Sequence, residues 1–220
     1  VKQEELLAAI DRLNKDPKFH VMMLQLPLPK HLDEEEALIA ISPDKDVEGF
    51  HPMNTGRAWM GQPVFLPATP IGMHEMLIRG GYDPRGKNVV IVNVDNLVGK
   101  PLASILVQEN VGANVTLCQP STPDLASYTR RADIVVVAVN KPKFITADMV
   151  KDGVIGIDFG SNYIEDPTAK SGKRLVGDID FEAVSDKAEA ITPVPGGVGP
   201  MTVTMLLVNA VVAAEKQAAA

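Results

Sequence analysis

VVIVNVDNLVGKPLASILVQ, residues 89–108, is the stretch on which the reading of the whole chain turns. Val89, Val90, Ile91 and Val92 form a β-branched run, which suits a strand buried on both faces of a parallel sheet. Asn93, Val94, Asp95 and Asn96 then make a turn. Val98 and Gly99 lead to Pro101, a residue at home in a first helical turn, and Leu102, Ile105 and Leu106 carry a helix onward. Strand, tight turn and helix is how a dinucleotide-binding unit begins, with the helix N-terminus aimed at a phosphate. Only Gly99 stands in this turn, without the three-glycine fingerprint, so an ordinary βα connection has the same local pattern.

Downstream, strands and helices alternate. Strands are expected at 114–118, 134–139, 154–159 and 190–191, with an edge pair at Leu175 and Val176. Short helices are expected at 124–130, 146–149 and 181–184. The alternation predicts a parallel sheet covered on both faces. Residues 193–200 read as a rigid Pro/Gly loop, followed by a long apolar helix at 201–216. Upstream, Leu6, Leu7, Ile10 and Leu13 fall at helical spacing, and residues 21–26 read as a short buried strand ended by Pro27 and Pro29. Asp33 can cap a helix through Ile41, with Glu34, Glu35 and Glu36 favouring its positive end. Residues 44–70 are loops with one short helix at 54–60, and Thr69-Pro70 starts another helix. The composition shift at 67–70 marks a domain boundary.

The chain has 220 residues, enough for one large or two small domains with a real core. Its formal charge of −7 argues against non-specific nucleic-acid binding. No apolar run reads as long enough to span a bilayer. A single cysteine, Cys118, excludes an internal disulfide and fits a reducing compartment such as the cytoplasm or the mitochondrial matrix. Four scattered histidines, His20, His31, His51 and His74, give no metal-ligand spacing, so no metal is expected. Val1 opens almost directly onto a helix, which reads as a chain entered partway.

Three polar stretches could carry chemistry. Gln25 lies within LQLPLP, either as a satisfied core amide or as a side chain emerging at a strand end. Residues 44–52, DKDVEGFHP, form either a solvated loop or a carboxylate-presenting one. Residues 191–202, ITPVPGGVGPMT, combine three prolines and three glycines in a stiff turn whose backbone can approach a ligand; a structural hinge would use the same residues.

LQLPLPKHLDEEEALIAISPDKDVEGFHPMNTGR, VNVDNLVGKPLA, VGDIDFEAV and ITPVPGGVGPMTVTMLL together resemble the bifunctional methylenetetrahydrofolate dehydrogenase/methenyltetrahydrofolate cyclohydrolase family, over nearly the whole chain. The resemblance implies an α/β fold: a Rossmann-like parallel-sheet NAD(P) domain at 69–199, plus an incomplete smaller α/β N-terminal lobe at 1–68, completed by the C-terminal helix at 200–217. It implies NADP as cofactor, a folate-type substrate in the cleft between lobes, and a homodimer or a subunit of a larger complex. Gln25 matches the glutamine that assists the family's catalytic lysine, and Glu48 stands at a folate-contacting Asp. Pro195, Gly196, Gly197 and Gly199 match the folate-side loop. Asn93, Val94, Asp95, Gly99 and Ser161 fall at cofactor-side positions.

The departures cluster on the cofactor side. The family's Gly-Arg-Ser is Asn93-Val94-Asp95, which removes a cation and adds an acid; at contact distance this penalises a phosphate by roughly 1–4 kcal/mol. The family's His-Ser pair is Gln119-Pro120, a Gly is Asn140, and Ser161 replaces an apolar residue. The family's catalytic lysine, and a tyrosine one turn before it, lie upstream of the first residue here. Two functions follow: a dehydrogenase and/or cyclohydrolase of one-carbon metabolism, or a catalytically impaired member serving a structural or regulatory role in a larger assembly.

Overall fold

The computed structural model describes residues 1–218 as two compact units, one of Val1–Ala68 with the chain from residue 203 onward, the other of Thr69–Thr202. The second unit holds a five-stranded sheet. Its strands are β1 (Asn88–Val92), β2 (Asn114–Cys118), β3 (Ile134–Val137), β4 (Ile155–Asp158) and β7 (Ala190–Ile191). They run parallel in the order β2-β1-β3-β4-β7, with Val92 opposite both Cys118 and Val137, and Val137 opposite Asp158. The apolar run at 89–92 is explained by this position. Val89 and Ile91 point into one core with Met73, Leu77, Leu102 and Leu106, whereas Val90 and Val92 point into a second with Cys118, Ile145 and Val184. Helices α4 (Ala68–Arg79) and α5 (Gly99–Leu106) supply the first core, and α6 (Leu125–Thr129) and α7 (Phe181–Ser185) pack into the second.

Three expected boundaries move, each for a local reason. β3 ends at Val137, not 139, because the amides of Val139 and Asn140 turn to the Asp178 carboxylate at 2.5 and 2.9 Å. The expected edge at Leu175 and Val176 belongs to an antiparallel hairpin, β5 (Asn162–Glu165) with β6 (Lys173–Val176), which forms its own two-stranded sheet. The last helix, α8 (Val198–Ala218), starts three residues before the expected position. Pro200 sits in its first turn, where a missing N–H is no loss.

The other unit is built from α1 (Gln3–Lys15), α2 (Glu34–Ala40), α3 (Pro52–Trp59) and the later part of α8. Asp33 caps α2 by accepting from the Glu36 amide. Ile10, Met22, Ala37 and Ile41 form the core, with Leu6, Leu13, Leu24 and Leu28 against it. The expected buried strand at 21–26 is not one. It forms a single parallel bridge, Met22 to Asp46, and beyond it Met23 and Gln25 are exposed while Leu24 and Leu26 are half-buried. The run alternates because only one of its faces is covered.

One expectation about apolar length is also corrected. α8, with 21 residues, is long and apolar enough by length and composition to cross a membrane. Its apolar residues are interrupted by Thr202, Thr204 and Asn209, so no unbroken run marks it. Within its unit the Asn209 amide donates to the carbonyls of Val47 and Leu66, both at 2.9 Å.

Candidate functional site

The carboxyl ends of β1, β3 and β4 converge on one polar edge, the place where parallel sheets bind ligands. Asn93 organises it. Its Oδ1 accepts from the amides of Asp95 and Gly99, and its Nδ2 donates to Asp95 Oδ2 and to the Ala138 carbonyl. Asp95 Oδ1 accepts from Leu97 N at 3.0 Å and Val98 N at 2.7 Å. Gly99 is required here: a Cβ would come within 2.2 Å of the Asn93 carbonyl oxygen. Ser161, past the end of β4, is exposed, and its amide donates to Asn140 Oδ1 at 3.3 Å. Asn93, Asp95, Gly99 and Ser161 therefore share this edge, with Val94 half-buried between them.

Beneath the edge lies a pair of buried acids that sequence reasoning missed. Asp178 is fully buried and accepts from Val139, Asn140 and Lys141 amides and from Asn162 Nδ2. Asp158 accepts from the amides of Gly160, Asp178 and Ile179; burial pushes its carboxyl above the usual range, against the pull of those amides. The signal was present in VGDIDF, where an acid stands among apolar residues. These acids brace the loops after β3 and β4.

The Pro/Gly loop in the same unit is held differently. Asp158 N donates to Thr192 Oγ1 at 2.8 Å, and Thr192 N donates to the Gly156 carbonyl, which ties the loop's start to β4. Val194-Pro195 is cis. Gly197 is buried, and a Cβ there would meet the Pro193 carbonyl oxygen at 2.5 Å. Pro195, Gly196 and Gly199 are exposed. A cavity of about 260 Å³ lies beside the loop, lined by Asp158, Gly177, Ile179, Pro193, Val194 and Pro195 among others.

Gln25 and Glu48 belong to the other unit. Gln25 is exposed, and its Nε2 donates to the Leu26 carbonyl at 3.1 Å, so it is not a core amide. The parallel Met22–Asp46 bridge carries both segments in one direction, so Gln25 and Glu48 leave it at the same end. The stretch 44–52 is not a solvated loop. Lys45 is buried and donates to the Leu13 and Asp16 carbonyls; Asp46 is buried and accepts from His51 N and Asn54 Nδ2. Burial, and then the charge of Asp46, raise the half-buried Glu48 carboxyl to about 7. No group of three or more His, Cys, Asp or Glu among the described residues is placed to hold a metal ion.

The edge fits the two parts of NADP unequally. The sheet and the Gly99 turn are those of a dinucleotide domain. The loops that would meet the 2′-phosphate, residues 93–99 and 118–122, contain neither Lys nor Arg, and one of them carries the exposed Asp95 carboxylate.

Residues 67–218 match the family described as tetrahydrofolate dehydrogenase/cyclohydrolase, NAD(P)-binding domain, and residues 1–48 match tetrahydrofolate dehydrogenase/cyclohydrolase, catalytic domain. The bifunctional protein FolD of Syntrophus aciditrophicus is 53% identical over 220 residues, 99% of this chain and 75% of that relative. The bifunctional protein FolD 1 of Myxococcus xanthus is 54% identical over 217 residues, 98% of this chain and 74% of that relative. Among solved structures, the bifunctional FolD methylenetetrahydrofolate dehydrogenase/cyclohydrolase from Campylobacter jejuni shares 46% identity at a TM-score of 0.91, over 98% of this chain and 74% of that one. The Trypanosoma brucei enzyme complexed with NADP cofactor and inhibitor shares 38% identity at a TM-score of 0.93, over 100% of this chain and 75% of that one.

Proposed function

The chain belongs to the tetrahydrofolate dehydrogenase/cyclohydrolase family, and we propose that its own residues serve the folate side of that chemistry, with Gln25 and Glu48 as the catalytic pair and Pro195, Gly196, Gly197 and Gly199 as the folate-side support. One-carbon folate metabolism is the function of the family, and NADP is its cofactor by resemblance. The observation that carries the reading is the Pro/Gly loop. It keeps the family string ITPVPGGVGPMT unbroken, and its backbone is pinned at Thr192 and Gly197 while Pro195, Gly196 and Gly199 stay open to solvent.

Opening a methenyl ring adds water at the bridging carbon, breaks that carbon's bond to one ring nitrogen, moves one of water's protons to the freed nitrogen and releases the other, leaving a formyl group on the second nitrogen. A carboxyl poised near 7 can accept a proton from water and return it at neutral pH, and Glu48 has this property. The Gln25 amide has its carbonyl oxygen available to orient a donor. Glu48 reaches one methylene farther than the family's Asp, which sets where its oxygen falls.

The test is hydrolysis of methenyltetrahydrofolate, followed by loss of its absorbance with no dinucleotide present. The chain should accelerate hydrolysis, and Glu48→Gln should lower that acceleration by about 10²-fold. Gln25→Ala should lower it less, since it orients rather than transfers. A chain that does not accelerate hydrolysis, or a Glu48→Gln variant as fast as the parent, sinks the reading in favour of a non-catalytic family member within a larger assembly.

A further inference from the structure

The head of α5 offers no backbone donor to an anion. Gly99 N donates to Asn93 Oδ1, Lys100 N to the Asp95 carbonyl and Leu102 N to the Val98 carbonyl, and Pro101 has no N–H. The preceding amides of Leu97 and Val98 are held by Asp95 Oδ1. With these amides taken, side chains decide which dinucleotide the edge accepts.

Those side chains are unsuited to a 2′-phosphate. Val94 is apolar, and Asp95 carries an exposed negative charge. At the end of β2, about 20 residues past Gly99, dinucleotide folds read the ribose 2′ position with an acid for a hydroxyl or an Arg for a phosphate. Here that place holds Cys118, Gln119, Pro120, Ser121 and Thr122. Two nearby lysines are already engaged: Lys100 donates to Asn96 Oδ1 at 2.8 Å, and the Lys141 ammonium lies 5.5 Å from the centre of the Phe144 ring. A ribose hydroxyl has different needs. It requires an acceptor, and Asp95 Oδ2 receives a single bond, from Asn93 Nδ2 at 2.9 Å, and has a lone pair to spare. Gln119, directly after β2, adds an exposed amide.

We propose that the β1–α5 turn selects NAD over NADP, with Val94 and Asp95 as the specificity-determining residues. This rests on the reading of the chain as a member of a dinucleotide-using family, and it departs from the cofactor that resemblance supplies.

Calorimetric titration of the chain with NAD and, separately, with NADP tests it. NAD should bind about tenfold more tightly or better, and the gap should narrow at high salt, because charge repulsion makes it. Val94→Arg with Asp95→Ser should raise NADP affinity about tenfold and weaken NAD binding, because NAD loses the Asp95 acceptor. Val94→Arg alone keeps the Asp95 hydrogen bonds and should give part of that gain, so a poorly folded double variant does not end the test. NADP binding as tightly as NAD, equal gains for both cofactors in the double variant, or failure of both to bind overturns the proposal. None of these outcomes touches methenyl hydrolysis, which needs no dinucleotide and judges the folate-side reading separately.

Discussion

Two connections in the sheet-bearing unit make the same journey by different means. The turn at 93–99 leads from β1 into α5, and the loop at 193–199 leads from β7 into α8. The first is fixed by polar side chains: Asn93 and Asp95 hold the amides of Asp95, Leu97, Val98 and Gly99. The second is fixed by proline rings and a glycine packed against its own loop. A turn held by side chains can exchange them and keep its shape, so its outer chemistry is free to change. A loop held by its covalent backbone has little to exchange.

The largest predicted effects test whether both connections are as tight as this comparison requires. Gly99→Ala would push a Cβ against the Asn93 carbonyl, which is backbone and cannot move without disturbing β1. We expect a loss of about 3 kcal/mol in urea denaturation. Gly197→Ala meets the Pro193 carbonyl at 2.5 Å and should lose about 2 kcal/mol. If either variant is as stable as the parent, the corresponding connection is looser than described.

Asp95→Ala comes next and separates the two connections. It strips the acceptor from the amides of exposed Leu97 and buried Val98 and should lower stability by about 1 kcal/mol. Asp95→Ser keeps one acceptor and should lose less. The ranking matters more than the values: Asp95→Ala destabilising by more than Gly99→Ala would mean that the carboxylate, not the packing at Gly99, holds the turn.

Much of this fold is written plainly in the chain, because some residues admit one environment only. Four β-branched residues in a row at 89–92 need two covered faces, and a parallel sheet supplies them. Asp33 before three glutamates is a helix start on local grounds alone. Other features depend on partners distant in sequence. Residues 21–26 look like a buried strand, but burial depends on a neighbour on each side, and a single bridge to Asp46 is what the run receives. The polar NYIE becomes β5 because KRLV lies antiparallel to it. The site divides in the same way. The Pro/Gly loop is legible from composition, whereas the satisfaction of the α5 amides by Asn93 and Asp95 is visible only in three dimensions, and it reverses the expectation of a helix end open to phosphate.

Glu48, proposed above for the folate side, gives a test in the other unit. Its folded-state carboxyl lies near 7, against 4.5 without burial, so the folded protein holds a proton there that the unfolded chain releases. Stability is therefore full below about 4.5 and falls as pH rises through 7. Glu48→Gln removes this loss. The variant should match the parent at pH 4.5 and exceed it at pH 8 by on the order of 1 kcal/mol, a figure reduced for the carboxyl's partial exposure. A gain confined to acid pH would contradict the assignment.

The smallest expected effect on folding discriminates best between support and structure. Gly199 is exposed in the first turn of α8, and a Cβ there has no atom within 4 Å. Gly199→Ala should change stability by no more than about 0.5 kcal/mol, with helix propensity favouring the alanine. Folding is then constant, and any change in methenyl hydrolysis or folate affinity reports what approaches the loop from outside. Close backbone approach by a ligand predicts weaker folate binding by about tenfold, since one methyl group would stand in the contact. Unchanged binding together with unchanged stability would show that Gly199 serves neither ligand nor fold, and would leave the folate side to Pro195, Gly196 and the packed Gly197. The comparison would then have to be redrawn, with the ligand-facing part of the loop ending where α8 begins.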